Sequence, residues 1–317
     1  MRDNNFIIEN NAKHLWHPMG APGDSINNPP KVITNANGSQ ISDIDGHTTV
    51  DAVGGLWCVN LGYSNQAIKK AISEQLDLLP YYSGFAGTTN PAAIEASFMV
   101  KEMFKADGME KVFFTSGGSD SVETCLRLSR QYHRLRGEPT RTKFISLKKG
   151  YHGTHFGGAS VNGNNRFRIA YEPLLPGCFH LPSPYTYRNP FNETDPQKLA
   201  LNIAQTFEDE IAFQDKNTIA AFIMEPIQGA GGVIVPDPSF MGLMQEICER
   251  NGILMISDEV ITGFGRTGSW SGARHWNVKP DMMSMAKGIT SGYFPVGAAL
   301  MGEKVADVFE NSNSPEA

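Results

Sequence analysis

GILMISDEVITGFGRTG, residues 252–268, opens on an apolar run, Ile253 to Ile256, that is short and unbroken. A run of that length without alternation reads as a strand buried on both faces, the pattern of a parallel sheet covered by helices. Asp258 and Glu259 follow at its carboxyl end. Neighbouring side chains on a strand point to opposite faces, so the two carboxylates cannot both be idle surface charges. Burying one without a partner costs several kcal/mol. A metal, a cation on a ligand, or an internal salt bridge to an arginine such as Arg266 has to meet it.

Outward from this stretch the same texture repeats. Lys111 to Phe114, Lys143 to Leu147, Thr218 to Glu225, Met282 to Met285 and Val296 to Met301 read as further buried strands. Between them Ser119 to Leu135, Gln197 to Phe213 and Pro238 to Asn251 have helical spacing, the last ending at Asn-Gly, a natural stop. Asn65 to Leu79 and Pro91 to Lys105 also read as helices. Strands alternating with helices predict an α/β fold with a mainly parallel central sheet. Residues 1–55 differ: KVITNANGSQISDIDG, residues 31–46, alternates around two turns and predicts a small hairpin-bearing segment, leaving 56–317 as the large domain. Residues 151–196, rich in Gly, Pro, Tyr and Asn, read as a long excursion that carries function rather than core.

With 317 residues and 40% hydrophobic content the chain can build a full core. A net charge of −6 argues against nucleic acid as a partner, because phosphate neutralisation needs clustered Lys and Arg. Apolar runs such as IAAFIM are too short to span a bilayer. The amino terminus, MRDNNFIIEN, lacks the apolar core of a signal peptide. Cys58, Cys125, Cys178 and Cys248 are scattered without CxxC pairing, which fits a reduced, cytoplasmic chain.

Four features fall at or just after strand ends, where α/β sheets bind ligands. FFTSGGSDSVET, residues 113–124, is a strand, a glycine turn and a helix start, so that Gly118 and Ser119 present backbone N–H groups to an anion; Ser119 reads as the helix cap. It is neither a Walker pattern nor GxGxxG. YHGTHFGG, residues 151–158, sets Tyr151 and His152 where a flat ring can be offered to a planar ligand, with Gly153 leaving space. Asp258 is the third feature. Lys287, alone between an apolar run and a glycine turn, is the fourth, either a solvated loop charge or a reactive amine. An ordinary lysine titrates near about 10.4, so a neutral nucleophile at pH 7 needs desolvation or nearby positive charge. His152 and His155 lack a third ligand at sensible spacing, so no metal is expected. An anion cradle, a flat aromatic, a buried acid and a lone lysine together meet the needs of pyridoxal phosphate.

SDEVITGFGRTG (257–268) followed by MAKGITSG (285–292) resembles the signature of class III, fold type I, pyridoxal phosphate aminotransferases. SGGSDSVET is similar to that family's phosphate loop, YHG to its ring-stacking tyrosine, and EPIQGAGG at Glu225 to its strand-end glutamate. GLWCVNLGYSNQAI (55–68) and YYSGF (81–85) resemble the ω-amino acid or amine:pyruvate branch. The resemblance implies a fold type I large domain and a cofactor, pyridoxal 5'-phosphate, held by Gly118, Ser119, Tyr151, His152, Glu225, Asp258, Val260 and Lys287. Lys287 and Asp258 are its catalytic pair, and Trp57, Phe85 and Tyr151 face substrate. It further implies ping-pong Schiff-base transfer from an ω-amino acid or amine to a keto acid such as pyruvate, in a homodimer. An aminomutase, racemase or decarboxylase of the same class, or a non-catalytic α/β binding fragment, are the alternatives. Two departures stand out. The loop reads Gly-Gly-Ser-Asp where many members have Ser-Gly-Ser-Glu. The chain also stops at VFENSNSPEA, before the family's small carboxyl-terminal domain with its carboxylate-binding arginine, and before the threonine that reaches the neighbouring subunit's phosphate; a fragment is expected.

Overall fold

The computed structural model describes residues 2–85 and 87–314. Contacts divide the chain into two units, Met1–Tyr81 and Tyr82–Ala317.

The first unit contains a three-stranded antiparallel sheet, β1 (Ile33–Asn37), β2 (Gln40–Asp43) and β3 (Thr48–Val50). The β1–β2 turn pairs Asn37 with Gln40 and passes through Gly38 at φ 58, which glycine adopts without strain. In the β2–β3 turn Asp43 Oδ1 accepts the backbone N–H groups of Asp45 and His47 at 3.1 and 2.9 Å. This turn gathers the potential ligand atoms of Asp43, Asp45 and His47, and the backbone already uses the central carboxylate. The reading from sequence sets a boundary at residue 55, whereas the unit runs on to Tyr81. The reason is local: Tyr63 bridges to Gly38, its hydroxyl donates to Asp51 Oδ2 at 2.6 Å, and Ser64 Oγ donates to Ala36 O at 2.7 Å. These bonds tie the start of the Gln66–Leu78 helix to the hairpins. The helix Asn4–His14 was not expected; its run of asparagines is poor in helix propensity, and Asp3 caps it by accepting from Phe6 N.

The second unit is built on seven strands: β4 (Met109–Thr115), β5 (Lys143–Leu147), β6 (Cys178–Leu181), β7 (Ile219–Met224), β8 (Leu254–Asp258), β9 (Met282–Met285) and β10 (Gly297–Gly302), in the order β4-β10-β9-β8-β7-β5-β6. Pairings among β9, β8, β7, β5 and β6 are parallel, while β10 runs antiparallel to both its neighbours. The fold is thus α/β with a mostly parallel sheet. β6, an edge strand inside the 151–196 excursion, was missed because CFHL is short and lies among Gly and Pro.

Every residue of β7 is buried. Ile219, Phe222 and Met224 join Phe104, Phe207, Phe240 and Met244 in one core cluster, while Ala220, Ala221 and Ile223 join Val122, Cys125, Leu126 and Tyr132 of the Gly118–Leu135 helix in another. Helices therefore cover both faces, which explains the unbroken apolar runs. The Phe240–Asn251 helix ends at Gly252 in the left-handed conformation, φ 65, as Asn-Gly predicts. Among the described residues no helix is long and apolar enough to cross a membrane.

Phe222 is fully buried, with its ring centroid 4.9 Å from that of Phe207. Phe222→Ala is expected to cost about 3–5 kcal/mol, read as a lower urea midpoint at unchanged slope.

Candidate active site

The carboxyl ends of β4, β5, β7, β8 and β9, with the amino end of the reversed β10, surround a cavity of about 460 Å³. Gly118, Ser119, Tyr151, His152, Glu225, Asp258, Val260 and Lys287 all line it. They come from five loops far apart in the chain, and parallel strands bring those loops to one edge because every crossover returns the chain to the same starting side.

At the first loop the helix begins at Gly118 with Gly117 as its cap, not at Ser119 as the sequence suggested. The two glycines let the chain turn into the helix earlier, and Ser119 Oγ instead accepts the N–H of Thr154 at 3.1 Å. Asp120 reaches back to take both the backbone N and the Oγ of Ser116 at 3.0 Å, and these bonds hold its carboxyl below the usual range. Gly153 packs directly on this turn. A β-carbon there would lie 2.5 Å from Ser119 Oγ and 2.7 Å from Ser119 Cα, at φ +92. No side chain fits.

At the end of β8 the two carboxylates separate as strand geometry requires. Asp258, 3% exposed, lines the cavity; its Oδ2 lies 2.8 Å from His152 Nδ1, and its Oδ1 accepts from Ser284 Oγ at 3.0 Å and Val260 N at 3.2 Å. Glu259, fully buried, accepts from Ser257 Oγ at 2.8 Å, from the Thr262 hydroxyl, and from the N–H groups of Gly272 and Ala273 at 2.7 and 2.8 Å. Burial pushes its carboxyl up. Hydroxyls and backbone donors, rather than the salt bridge weighed from sequence, satisfy Glu259.

Glu225 ends the β7 segment, buried, and accepts the N–H of Tyr151 at 2.9 Å and of Gly229 at 2.8 Å. Burial outweighs these donors and pushes its carboxyl up to about 7. It thereby fixes the backbone of the Tyr151 loop. Tyr151 is half-buried, its ring edge-on to Phe167 at 4.7 Å, and burial raises its hydroxyl. His152 Nε2 is buried and finds no hydrogen-bond partner among the described residues.

Lys287 follows β9 and lines the cavity at φ 48, in the left-handed region, at the start of a short 3₁₀ turn, Lys287–Ile289. A non-glycine residue there carries strain of the kind that clusters at functional sites. Phe85 is 87% exposed and lies outside the cavity lining; Trp57 belongs to the first unit, where it is half-buried. Ser284, Ile261, Tyr293 and Phe294 are site residues that sequence reasoning missed. For Ser284 a signal existed, a lone hydroxyl in the apolar strand MMSM. Ile261 follows Val260 in the segment after β8, and Tyr293 and Phe294 reach the cavity only because the chain returns there into β10.

The profile of the family Aminotransferase class-III matches residues 23–315. The chain is 38% identical over 278 residues to the putrescine–pyruvate aminotransferase of Pseudomonas aeruginosa, covering 88% of this chain and 60% of that protein. It is 35% identical to an omega-aminotransferase of Caulobacter vibrioides, covering 96% of this chain and 69% of the relative. Among solved structures, an amine transaminase from an uncultivated Pseudomonas species, in its PLP-bound form, superposes with a TM-score of 0.94 at 46% identity, covering 96% of this chain and 68% of that one. An (S)-enantioselective omega-transaminase from Thermomicrobium roseum superposes with a TM-score of 0.95 at 33% identity, over 99% of this chain and 70% of that one. The chain thus spans about 60% of the length of the P. aeruginosa relative.

Glu225 supplies a pH test. Unfolded, the carboxyl titrates at its ordinary 4.5; folded, at about 7. Between those values the folded state holds a proton that the unfolded state has released, so this group's contribution to stability, full below 4.5, is lost as pH rises towards 7. Glu225→Gln, permanently uncharged, is expected to flatten the fall of the melting temperature with pH across that window.

Proposed function

The chain belongs to the class-III aminotransferase family, and from that premise we propose that the protein is a pyridoxal phosphate-dependent transaminase that moves an amino group from an ω-amino acid or amine to a keto acid. The name of the P. aeruginosa relative supports pyruvate as acceptor. The observation that carries the reading is one cavity lined together by a helix amino terminus free of bulky side chains, a buried carboxylate and a lysine. The residues fit the cofactor on this chain's own evidence. The Gly117–Gly118 turn leaves N–H groups open to a phosphate, as an anion site needs. Asp258 faces the cavity with an acceptor-only carboxylate, suited to a protonated ring nitrogen.

When bound, pyridoxal phosphate supplies an electron sink for charge developing at the substrate carbon. The chain's residues do the rest. Asp258 holds the proton on the ring nitrogen. Gly118 and Ser119 anchor the phosphate, and Tyr151, Val260 and Ile261 wall the cavity against water. Lys287 Nζ, which lines the same cavity, would serve as the general base and acid that moves the substrate's proton. Tyr151 is the substrate-facing aromatic; Trp57 and Phe85 carry the same role by resemblance alone.

The complete protein is proposed to be a homodimer, a reading supported by the exposed Ile94, Phe98 and Met99 on the Pro91–Phe104 helix. A cytoplasmic setting is proposed because all four cysteines are free thiols.

Keto-acid-dependent loss of amine from substrate tests the reaction; amine-bearing product formed without keto acid would point to a mutase, racemase or decarboxylase instead. Lys287→Ala is expected to remove the bound cofactor's visible absorption band and to lower kcat/KM by about 10²–10⁴-fold or more. Asp258→Asn should lose far more activity than cofactor; equal losses would mean that the carboxylate serves binding alone. Gly153→Ala, which drives a methyl into Ser119, should weaken cofactor binding at least about tenfold, or 1.4 kcal/mol, measured by titrating cofactor-free protein.

A further inference from the structure

We propose that Ser284 is a positioning residue for the cavity acid, its hydroxyl fixing the plane of the Asp258 carboxylate. The proposal rests on the reading that Asp258 meets the cofactor's ring nitrogen. β9 is MMSM, buried throughout, and its three methionines serve the two core clusters, Met282 on one side and Met283 and Met285 on the other. Among them Ser284 is fully buried. A hydroxyl at a core position destabilises unless it is bonded, and this one gives its hydrogen to Asp258 Oδ1 at 3.0 Å.

The backbone makes that donor rigid. Ser284 pairs with Asp258 in the parallel β8–β9 register and with Ala299 of β10 on its other side, and its carbonyl accepts Glu259 N at 2.9 Å. Val260 N, the second donor to Oδ1, is longer at 3.2 Å and belongs to the segment after the strand. Oδ2 is held from the opposite direction by His152 Nδ1 at 2.8 Å. A carboxylate gripped at one oxygen from β9 and at the other from the β5 loop cannot turn about its Cβ–Cγ bond. An ionised carboxylate accepts all three bonds, having no hydrogen of its own. Ser284 also stands three residues before Lys287, so one central strand sets the position of both groups, and their separation cannot drift independently.

The test uses the protein loaded with pyridoxal phosphate. Ser284→Ala is expected to lower kcat about tenfold, the scale of losing a hydrogen bond to a charged group, with KM changed by less than about twofold, because the substrate does not touch Ser284. The pH midpoint at which the bound cofactor's visible absorption changes should move, a readout that a loss of packing or stability alone leaves in place. If packing confounds the alanine, Ser284→Thr and Ser284→Val have the same shape and differ only in the hydroxyl. Threonine should keep the wild-type absorption midpoint and kcat, and valine should lose both; identical behaviour of the pair overturns the proposal. Asp258→Asn, measured alongside, separates the two ideas. A wild-type Asp258→Asn variant removes the reading of the acid itself, whereas an impaired Asp258→Asn beside a wild-type Ser284→Val removes only the role of Ser284.

Discussion

A carboxylate taken out of water at the end of β8 is the constraint on which the site depends. Desolvating Asp258 costs several kcal/mol unless donors replace water, and the three that do so come from the β5 loop, from β9 and from the residue two positions on. Each donor ties a different segment to the same oxygens. The cavity is therefore shaped by a bonding requirement as much as by packing, and its acid, aromatic loop and lysine strand are held in one arrangement.

Supporting features follow the same logic one layer out. Glu225 holds the Tyr151 backbone, Glu259 gathers Thr262, Gly272 and Ala273 behind Val260, and Gly153 gives up its side chain so that its loop can lie on Ser119. Buried carboxylates that accept backbone N–H groups act here as struts between loops that share no sequence neighbourhood. The reversed β10 closes the arrangement, bringing Val296 back to the cavity between the ends of β4 and β9.

Much of this was legible in the residues. Four strand ends carried chemistry in the form of small residues, an aromatic, an acid and a lysine, because ligand sites in parallel sheets recur at those ends; Glu225, at a fifth, was marked only by the family resemblance. Where the reading went astray, the cause was local competition. Ser119 is a good cap by type, but the preceding glycines let the helix start sooner. The β6 strand hid among turn residues, and the Asn4–His14 helix among asparagines. The first unit runs past residue 55 because of Tyr63 and Ser64, whose bonds cross 25 or more residues and leave no periodic trace.

Sequence by itself determined the fold class, the approximate strands and helices, and the residues able to do chemistry, since burial on two faces writes a continuous apolar run and a helix writes a period of 3.6. Tertiary structure alone decided which strand ends are neighbours and which donor meets which acceptor. His152 and Asp258 are 106 residues apart, and Ser284 is 26 from Asp258. Nothing in the local sequence around any of them encodes that meeting, because strand order is settled by how the whole sheet packs between its two helical layers.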